Sequence, residues 1–201
     1  MRVVSYKSLA ECGVEIISGQ IMSRIALKGA EGEAAEKRRV IIPKCILPDG
    51  SIEGKDLPEE ELKAEADPKY LTEAGNIVMK LSTPYDAARV EESEAGCVVP
   101  SFCVIVRSSG ELDPDYLLAF LNSTSCKGQL KNMVAGSVMA MLSIGKIRNA
   151  VVPVPSAERQ KEIGKAFLKN RERIRIVKEI VRLETLKNDI AFRELENGHE
   201  T

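Results

Sequence analysis

Residues 1–155 alternate short apolar runs with polar connections that contain glycine and proline. Asp113 and Pro114 predict the N-cap and first residue of a helix that ends near Asn122. Ser8–Glu11 fits a capping box at the start of another short helix. Together with the apolar runs, these signals predict an α+β fold built on one mixed α/β domain. The apolar run Val14–Gln20 is broken at Ser18-Gly19. The runs typical of strands are Val40–Leu47, Asn76–Leu81, Gly96–Arg107 with one or two strands around Pro100, Gly136–Leu142, and Ala150–Pro155.

The chain changes character after Pro155. From Ser156, a predicted N-cap, to about Leu195 there is no proline, and apolar residues recur at steps of three and four. About 38 helical residues span roughly 57 Å, which exceeds the width of the preceding domain. We therefore expect domains at 1–155 and 156–195 and a disordered tail at 196–201. The helix either packs back onto its own domain or pairs with a partner helix in a coiled coil. The residues predicted to face that partner are Ile163, Phe167, Ile174, Val177, Ile180, Val181, Leu183 and Ile190.

Composition excludes several classes of protein and of site. The 201 residues are 44% hydrophobic and 29% charged, without a stretch that resembles a membrane span or a secretory signal, so we expect a cytoplasmic protein. Five scattered cysteines and one histidine, His199, disfavour a disulfide framework, a zinc site and a catalytic triad. Neither a P-loop nor a G-x-G-x-x-G motif is present, so no cofactor is expected. A hydrolase that uses carboxylates or a Ser/Lys pair remains an alternative.

Charge is distributed unevenly along the chain. Residues 1–155 contain 18 Lys/Arg and 21 Asp/Glu, and the tract from Asp49 to Asp67 holds eight of these acids against two lysines. Without that tract, the remainder of the first 155 residues is positive by three. A polyanion could therefore bind the domain only if the acidic tract faced away from it. The alternative is that the tract is a solvated loop or helix without a role.

Polar side chains surround Pro84, directly after the apolar run Asn76–Leu81. A buried strand that ends in such groups can aim them at base edges and phosphates. The alternative is a turn at Pro84, with Thr83 or Asp86 capping a helix that starts near Tyr85. The candidate DNA-binding residues here are Lys80, Ser82, Thr83, Tyr85 and Arg89.

Two earlier segments supply further candidates for DNA binding. Gln20, Ser23 and Arg24 offer polar groups after a break in the apolar pattern at Gly19. A basic cluster follows, and its charge density suits phosphate contact, although a solvated loop would have the same composition. The members of this basic cluster are Lys37, Arg38 and Arg39.

The order of four segments resembles the specificity (S) subunit of type I restriction-modification systems. These segments are "YLTEAGNIVMKLSTPYDA" from Tyr70, "GCVVPSFCVIVR" from Gly96, "DPDYLLAFLN" from Asp113, and "VPVPSAERQKEIG" from Val152. In that family a target recognition domain precedes a "P…Q…I" segment and a long helix, matched here by Pro155, Gln160 and Ile163. Gly75-Asn76 stands where many members have Gly-Asp. The chain has room for one recognition domain and one helix, where a usual S subunit has two of each.

The resemblance implies a DNA-reading subunit that catalyses nothing itself. Partner modification (M) subunits would bind S-adenosylmethionine and methylate adenine, and a restriction (R) subunit would translocate and cut. If S subunits pair their helices antiparallel, two copies of this chain would rebuild that arrangement as a twofold homodimer. Such a dimer would read double-stranded DNA with an inverted repeat. The alternative is a scaffold or protein-interaction subunit assembled through the long helix.

Overall fold

The computed structural model describes residues 4–27, 34–108, 110–136 and 141–197. Short 3₁₀ helices at Pro43–Cys45, Gly54–Asp56, Pro68–Tyr70 and Glu92–Glu94 connect the main elements. The strands are β1 Ser5–Ser8, β2 Val14–Ser18, β3 Glu36–Arg39, β4 Glu59–Leu62, β5 Ile77–Lys80, β6 Ala87–Arg89, β7 Cys103–Ser108 and β8 Val151–Val154. The helices are α1 Met22–Ile25, α2 Pro114–Asn122, α3 Thr124–Val134, α4 Ile144–Arg148 and α5 Ala157–Asn197.

A four-stranded antiparallel sheet with the order β2-β7-β5-β6 forms the centre of the domain. Ile105 of β7 lies opposite Ile17 of β2 on one side and Val78 of β5 on the other. Successive side chains of a strand point to opposite faces, so Ile16 and Ile77 lie on the other face of the sheet. Each face therefore carries its own hydrophobic core, and this explains why the strands read as continuous apolar runs.

Helices α2, α3 and α4 cover one face of this sheet. Asp113 is the N-cap of α2, as predicted, and its Oδ1 accepts hydrogen bonds from the N–H groups of Asp115 (3.0 Å) and Tyr116 (3.1 Å). Two small antiparallel ribbons, β1–β8 and β3–β4, complete the domain. The predicted α+β class is confirmed, and so are the strands expected at Asn76–Leu81 and Ala150–Pro155. All five cysteines are buried, as expected.

Two predicted elements differ in the structure, and a third lies mostly outside the described residues. Val40–Leu47 is not a strand: Val40 makes an isolated bridge and Pro43 starts a 3₁₀ helix. The reason is that proline has a fixed φ and no N–H to donate to a ladder. Within Gly96–Arg107 only the part from Cys103 is a continuous strand. Much of Gly136–Leu142 lies outside the described residues, and Leu142 is not in a strand.

The capping-box pattern at Ser8 closes a turn rather than a helix. Ser8 Oγ donates to the Glu11 carboxylate over 2.7 Å and accepts from the Glu11 N–H over 3.2 Å, so the predicted side-chain bonds form. The N–H of Val14 then donates to the carbonyl of Leu9, and Gly13 adopts a positive φ of 74°. Because positive φ ends helical geometry, the chain turns back into β2 at this point.

Helix α5 begins against the domain and then extends beyond it. Gln160 is 2% exposed, and Gly164 is also buried where α5 crosses the start of α2. Ile163 and Phe167, predicted to contact a partner helix, pack instead against the core of their own domain. The prediction of a long helix from Ser156 is confirmed. Within the described ranges, no helix combines the length and apolarity that crossing a membrane requires.

Candidate nucleic-acid interface

Three segments that are distant in sequence meet at one end of the central sheet. Strand β7 runs antiparallel to both β2 and β5, so the end of β2, the start of β7 and the end of β5 lie at the same end of the sheet. The segments that continue from these strands are 18–24, 100–102 and 81–84. Two groups of candidates that the sequence placed 60 residues apart are thereby brought together.

Backbone hydrogen bonds hold these segments in fixed positions. The N–H of Gln20 donates to the carbonyl of Val99 (2.7 Å), and the N–H of Ser101 donates back to the carbonyl of Gln20 (2.8 Å). The N–H of Leu81 donates to the carbonyl of Phe102 (3.0 Å). A Cβ on Gly19 would overlap the carbonyl of Pro100, so this close approach requires glycine. The break in the apolar pattern at Gly19 therefore has a structural cause.

The surface at this end of the sheet offers hydrogen-bonding side chains and one cation. Ser23, Arg24, Ser82 and Thr83 are exposed, and Gln20 is partly exposed. Phe102, which the sequence analysis missed, is 59% exposed. The available signal was an aromatic residue in a turn directly after Pro100 and Ser101. We call this set the sheet-end surface: Gln20, Ser23, Arg24, Ser82, Thr83, Ser101 and Phe102.

Lys80 is committed to a buried ion-pair network instead of facing solvent. Its Nζ lies 2.9 Å from the carboxylate of Asp86, and Lys127 Nζ lies 2.6 Å from the same carboxylate. The Asp86 side chain is 1% exposed. Burial alone would raise the pKa of Asp86, but the hydrogen bonds from Lys127 and Lys80 outweigh it and lower that pKa. This network holds the end of β5 against α3.

Tyr85 and Arg89 also have structural positions. Tyr85 adopts a φ of 57° and its ring lies in the core, 2% exposed, while its buried hydroxyl lacks a hydrogen-bond partner. No helix starts near Tyr85, because the chain passes through a turn directly into β6. The Arg89 guanidinium pairs with Asp115 at the start of α2. Lys80, Tyr85 and Arg89 are therefore left out of the sheet-end surface.

The basic cluster at Lys37–Arg39 lies on a strand that pairs with part of the tract Asp49–Asp67, and each of its side chains has a partner in the fold. Strand β3 carries the cluster and pairs with β4 from that tract. Lys37 Nζ lies 2.8 Å from the carboxylate of Glu59, and Arg38 pairs with Glu36. Arg39 donates to the carbonyl of Ser93. Part of the acidic tract therefore lies beside the basic cluster, and Lys37 is paired with it.

The other end of the acidic tract contacts α5. Asp49 is paired with Lys178 over 2.9 Å, and Arg171 donates to the carboxylate of Glu91 over 2.9 Å and to the carbonyl of Gly50 over 3.2 Å. Burial raises the pKa of Asp49, but hydrogen bonds from Ser51 and Lys178 outweigh it, so the pKa is lowered overall. The tract therefore has two structural roles: it pairs with β3 through β4, and it contacts α5 through Asp49.

A cleft of about 280 Å³ adjoins the sheet-end surface. Gln20 and Arg24 line one side of it, and the connection after β4 lines the other, including Tyr70. Glu65 and Asp67 also line the cleft. Because carboxylates repel phosphates, we do not include the cleft in the interface.

Helix α5 exposes two apolar stripes. At 100° per residue they lie on roughly opposite sides of the helix, separated on the domain side by a basic stripe that includes Arg171 and Lys178. One partner helix can cover only one of the two, so the predicted partner-facing residues do not form a single surface. The first stripe is Ile174, Val177, Val181 and Phe192, and the second is Ile176, Ile180, Leu183, Leu186 and Ile190.

No protein-family model matches the sequence, and no curated protein matches it. Solved structures do share its fold. A chain from a structure of complex assembly and conformational transition in a type I restriction-modification system aligns with a TM-score of 0.59 and 17% identity, covering 90% of this chain and 41% of that chain. The HsdS subunit from Thermoanaerobacter tengcongensis aligns with a TM-score of 0.57 and 18% identity, covering 88% of this chain and 46% of that chain.

The type I S subunit from M. genitalium aligns with a TM-score of 0.56 and 16% identity, covering 92% of this chain and 44% of that chain. The chain therefore has the fold of type I restriction-modification specificity subunits, in agreement with its motifs. It spans less than half of the length of each of these three proteins.

Proposed function

We propose that this chain is the DNA sequence-recognition subunit of a type I restriction-modification complex. The observation that carries the proposal is the sheet-end surface, where three rigidly held segments present hydrogen-bonding groups on a fold shared with S subunits. None of its members is an acid, although the chain as a whole has a net charge of −1. Arg24 can contact a phosphate, and Gln20 can form hydrogen bonds with an adenine edge. Ser82 and Thr83 can bind either bases or DNA backbone oxygens.

The partner of the first apolar stripe of α5 is, in this proposal, the same stripe of a second copy of the chain. Two copies together approach the length of one of the matched proteins, each of which is covered to 41–46%. Antiparallel pairing of two such helices generates a twofold axis and holds two sheet-end surfaces apart. The DNA target would then be an inverted repeat whose spacer depends on the length of α5.

The second stripe of α5 is proposed as the attachment surface for a methyltransferase (M) subunit. A stripe that one partner helix leaves uncovered remains available to another protein. Adenine methylation and S-adenosylmethionine would belong to that subunit, and a restriction (R) subunit is a further proposed partner. This chain would contribute recognition and assembly without a catalytic residue of its own.

Salt-dependent retention on DNA-cellulose, measured with the M subunit present, tests the proposal. We expect retention at low salt and release as the salt concentration rises, because phosphate contacts displace condensed counterions. Absence of retention at every salt concentration would contradict DNA recognition. It would favour a scaffold subunit, a function that the two apolar stripes of α5 would also serve.

Light scattering tests the homodimer separately. The chain has a mass of 22.0 kDa, and we expect twice that mass at micromolar concentration. Lysine at Val177 and Val181 should give the monomer, since two charges would be buried in the helix pair. The matched control is Ala166→Lys, which should leave the dimer intact. Ala166 is exposed and precedes both stripes along α5.

A further inference from the structure

Phe102 is an exposed aromatic side chain on an otherwise buried turn. It is 59% exposed, whereas Leu81 is 7% exposed and Cys103 is fully buried. Its position is fixed through the backbone: its carbonyl accepts from the N–H of Leu81 (3.0 Å), and the N–H of Cys103 donates to the carbonyl of Pro100 (2.8 Å). The ring therefore projects from a rigid support, which a binding residue requires and a mobile loop lacks.

The exposed apolar side chains of the domain fall into two places. In the described residues before α5, Tyr6 and Val151 belong to the β1–β8 ribbon, next to the start of β2, and Val4 directly precedes that ribbon. Ile21 and Phe102 belong to the opposite end of the sheet, where β2 terminates. Phe102 thus lies among the polar members of the sheet-end surface, and its neighbour Ser101 is bonded to Gln20.

At base edges in the major groove a phenylalanine ring can read only an apolar feature, because it has no conventional hydrogen-bond donor or acceptor. In the major groove the C5-methyl group of thymine is such a feature, and it distinguishes a T·A pair from the other pairs. The hydroxyls and amides beside Phe102 can bond to adjacent base edges at the same time. We propose that Phe102 is a specificity-determining residue that contacts a thymine methyl group, an inference that rests on the proposed DNA-recognition function.

The experiment uses the full chain in complex with the M subunit. Selection from a randomised duplex library identifies the bound site, and each thymine in that site is then replaced by deoxyuridine, which lacks the methyl group. In anisotropy titrations we expect wild type to lose about fourfold in affinity at one thymine position, the value of burying one methyl-sized group. Phe102→Ala should bind the thymine and deoxyuridine duplexes equally at that position.

Tyr6→Ala is the matched control, since Tyr6 is an exposed aromatic residue on the β1–β8 ribbon. It should retain the fourfold preference for thymine. Wild-type affinity that is unchanged by deoxyuridine at every position, an enriched site without thymine, or an unchanged preference in Phe102→Ala would each overturn the role of Phe102. Enrichment of no site at all by wild type would instead overturn the proposed DNA recognition.

Discussion

The side-chain oxygen of Gln160 accepts a hydrogen bond from the backbone N–H of Asp113 over 2.8 Å. Its amide nitrogen donates to the carbonyls of Pro155 (3.1 Å) and Glu111 (3.3 Å). One buried side chain in the first turn of α5 thus satisfies two backbone groups just before α2 and one just before α5. This relationship fixes the direction in which α5 leaves the domain, and with it the placement of the sheet-end surface relative to any partner of the helix.

Gln160→Ala should destabilise the protein by about 1–3 kcal/mol, since it leaves buried backbone groups without partners. Urea unfolding followed by circular dichroism measures this as a lower midpoint at an unchanged slope. Arg159→Ala is the control: Arg159 is exposed and pairs with the exposed Glu162 one turn away, so its loss should cost less than about 1 kcal/mol. Equal effects of the two substitutions would contradict the role of Gln160.

Gly164→Ala and Gly128→Ala should change the stability of the protein in opposite directions. Alanine is favoured over glycine inside a helix by about 0.8–1 kcal/mol, and a Cβ on Gly128 would meet nothing within 4 Å. Gly128→Ala should therefore stabilise α3. A Cβ on Gly164 would lie 2.7 Å from Asp115 Cβ and 2.9 Å from Tyr116 N, so the crossing of α2 and α5 must open. Thermal unfolding compares the two, and a stabilised Gly164→Ala would disprove the tight crossing.

Asp86→Asn should lower the free energy of unfolding by about 3–5 kcal/mol at pH 7. The reason is that Lys80 and Lys127 lose the buried carboxylate that they share. The pKa of Asp86 in the folded protein lies below its ordinary value of 3.8. The Asp86 carboxylate therefore contributes its full stabilisation above that value. This stabilisation is lost as the pH falls through the pKa of the folded protein.

Urea unfolding from pH 7 to pH 2 should show the difference between wild type and Asp86→Asn shrinking only below about pH 4. Asp189→Asn, at an exposed position on α5, serves as the control and should change stability by less than about 0.5 kcal/mol. A difference between wild type and Asp86→Asn that stays constant down to pH 2 would contradict the ion-pair network.

Arg24→Ala should weaken DNA binding and reduce the salt dependence of affinity. The slope of log affinity against log salt concentration should fall by about 0.9 for each phosphate contact that is lost. Lys131→Ala removes the same charge from an exposed position on α3 and should leave the slope unchanged. If both variants reduce the slope equally, the effect comes from net charge and not from the sheet-end surface.

The candidate site could be predicted only in part from the sequence. Polar groups at breaks in apolar runs identified four residues, which the structure brings to one end of the central sheet: Gln20, Arg24, Ser82 and Thr83. Lys80 and Tyr85 showed the same pattern, but Lys80 is ion-paired with Asp86 and Tyr85 is buried, since a side chain near a strand end is turned inward or outward by the chain that follows. Phe102 resembled core sequence because it directly precedes the apolar run Cys103–Val106.

The sequence by itself determined the elements whose signals are local. Strand β5, the capped helix α2 and the long helix α5 follow from periodicity and from residues a few positions apart, which interact in any fold. Only the tertiary structure decided which distant segments meet: β7 between β2 and β5, and Lys37 beside Glu59. The reason is that strand pairing depends on partners far along the chain, and no short stretch of sequence specifies its partner.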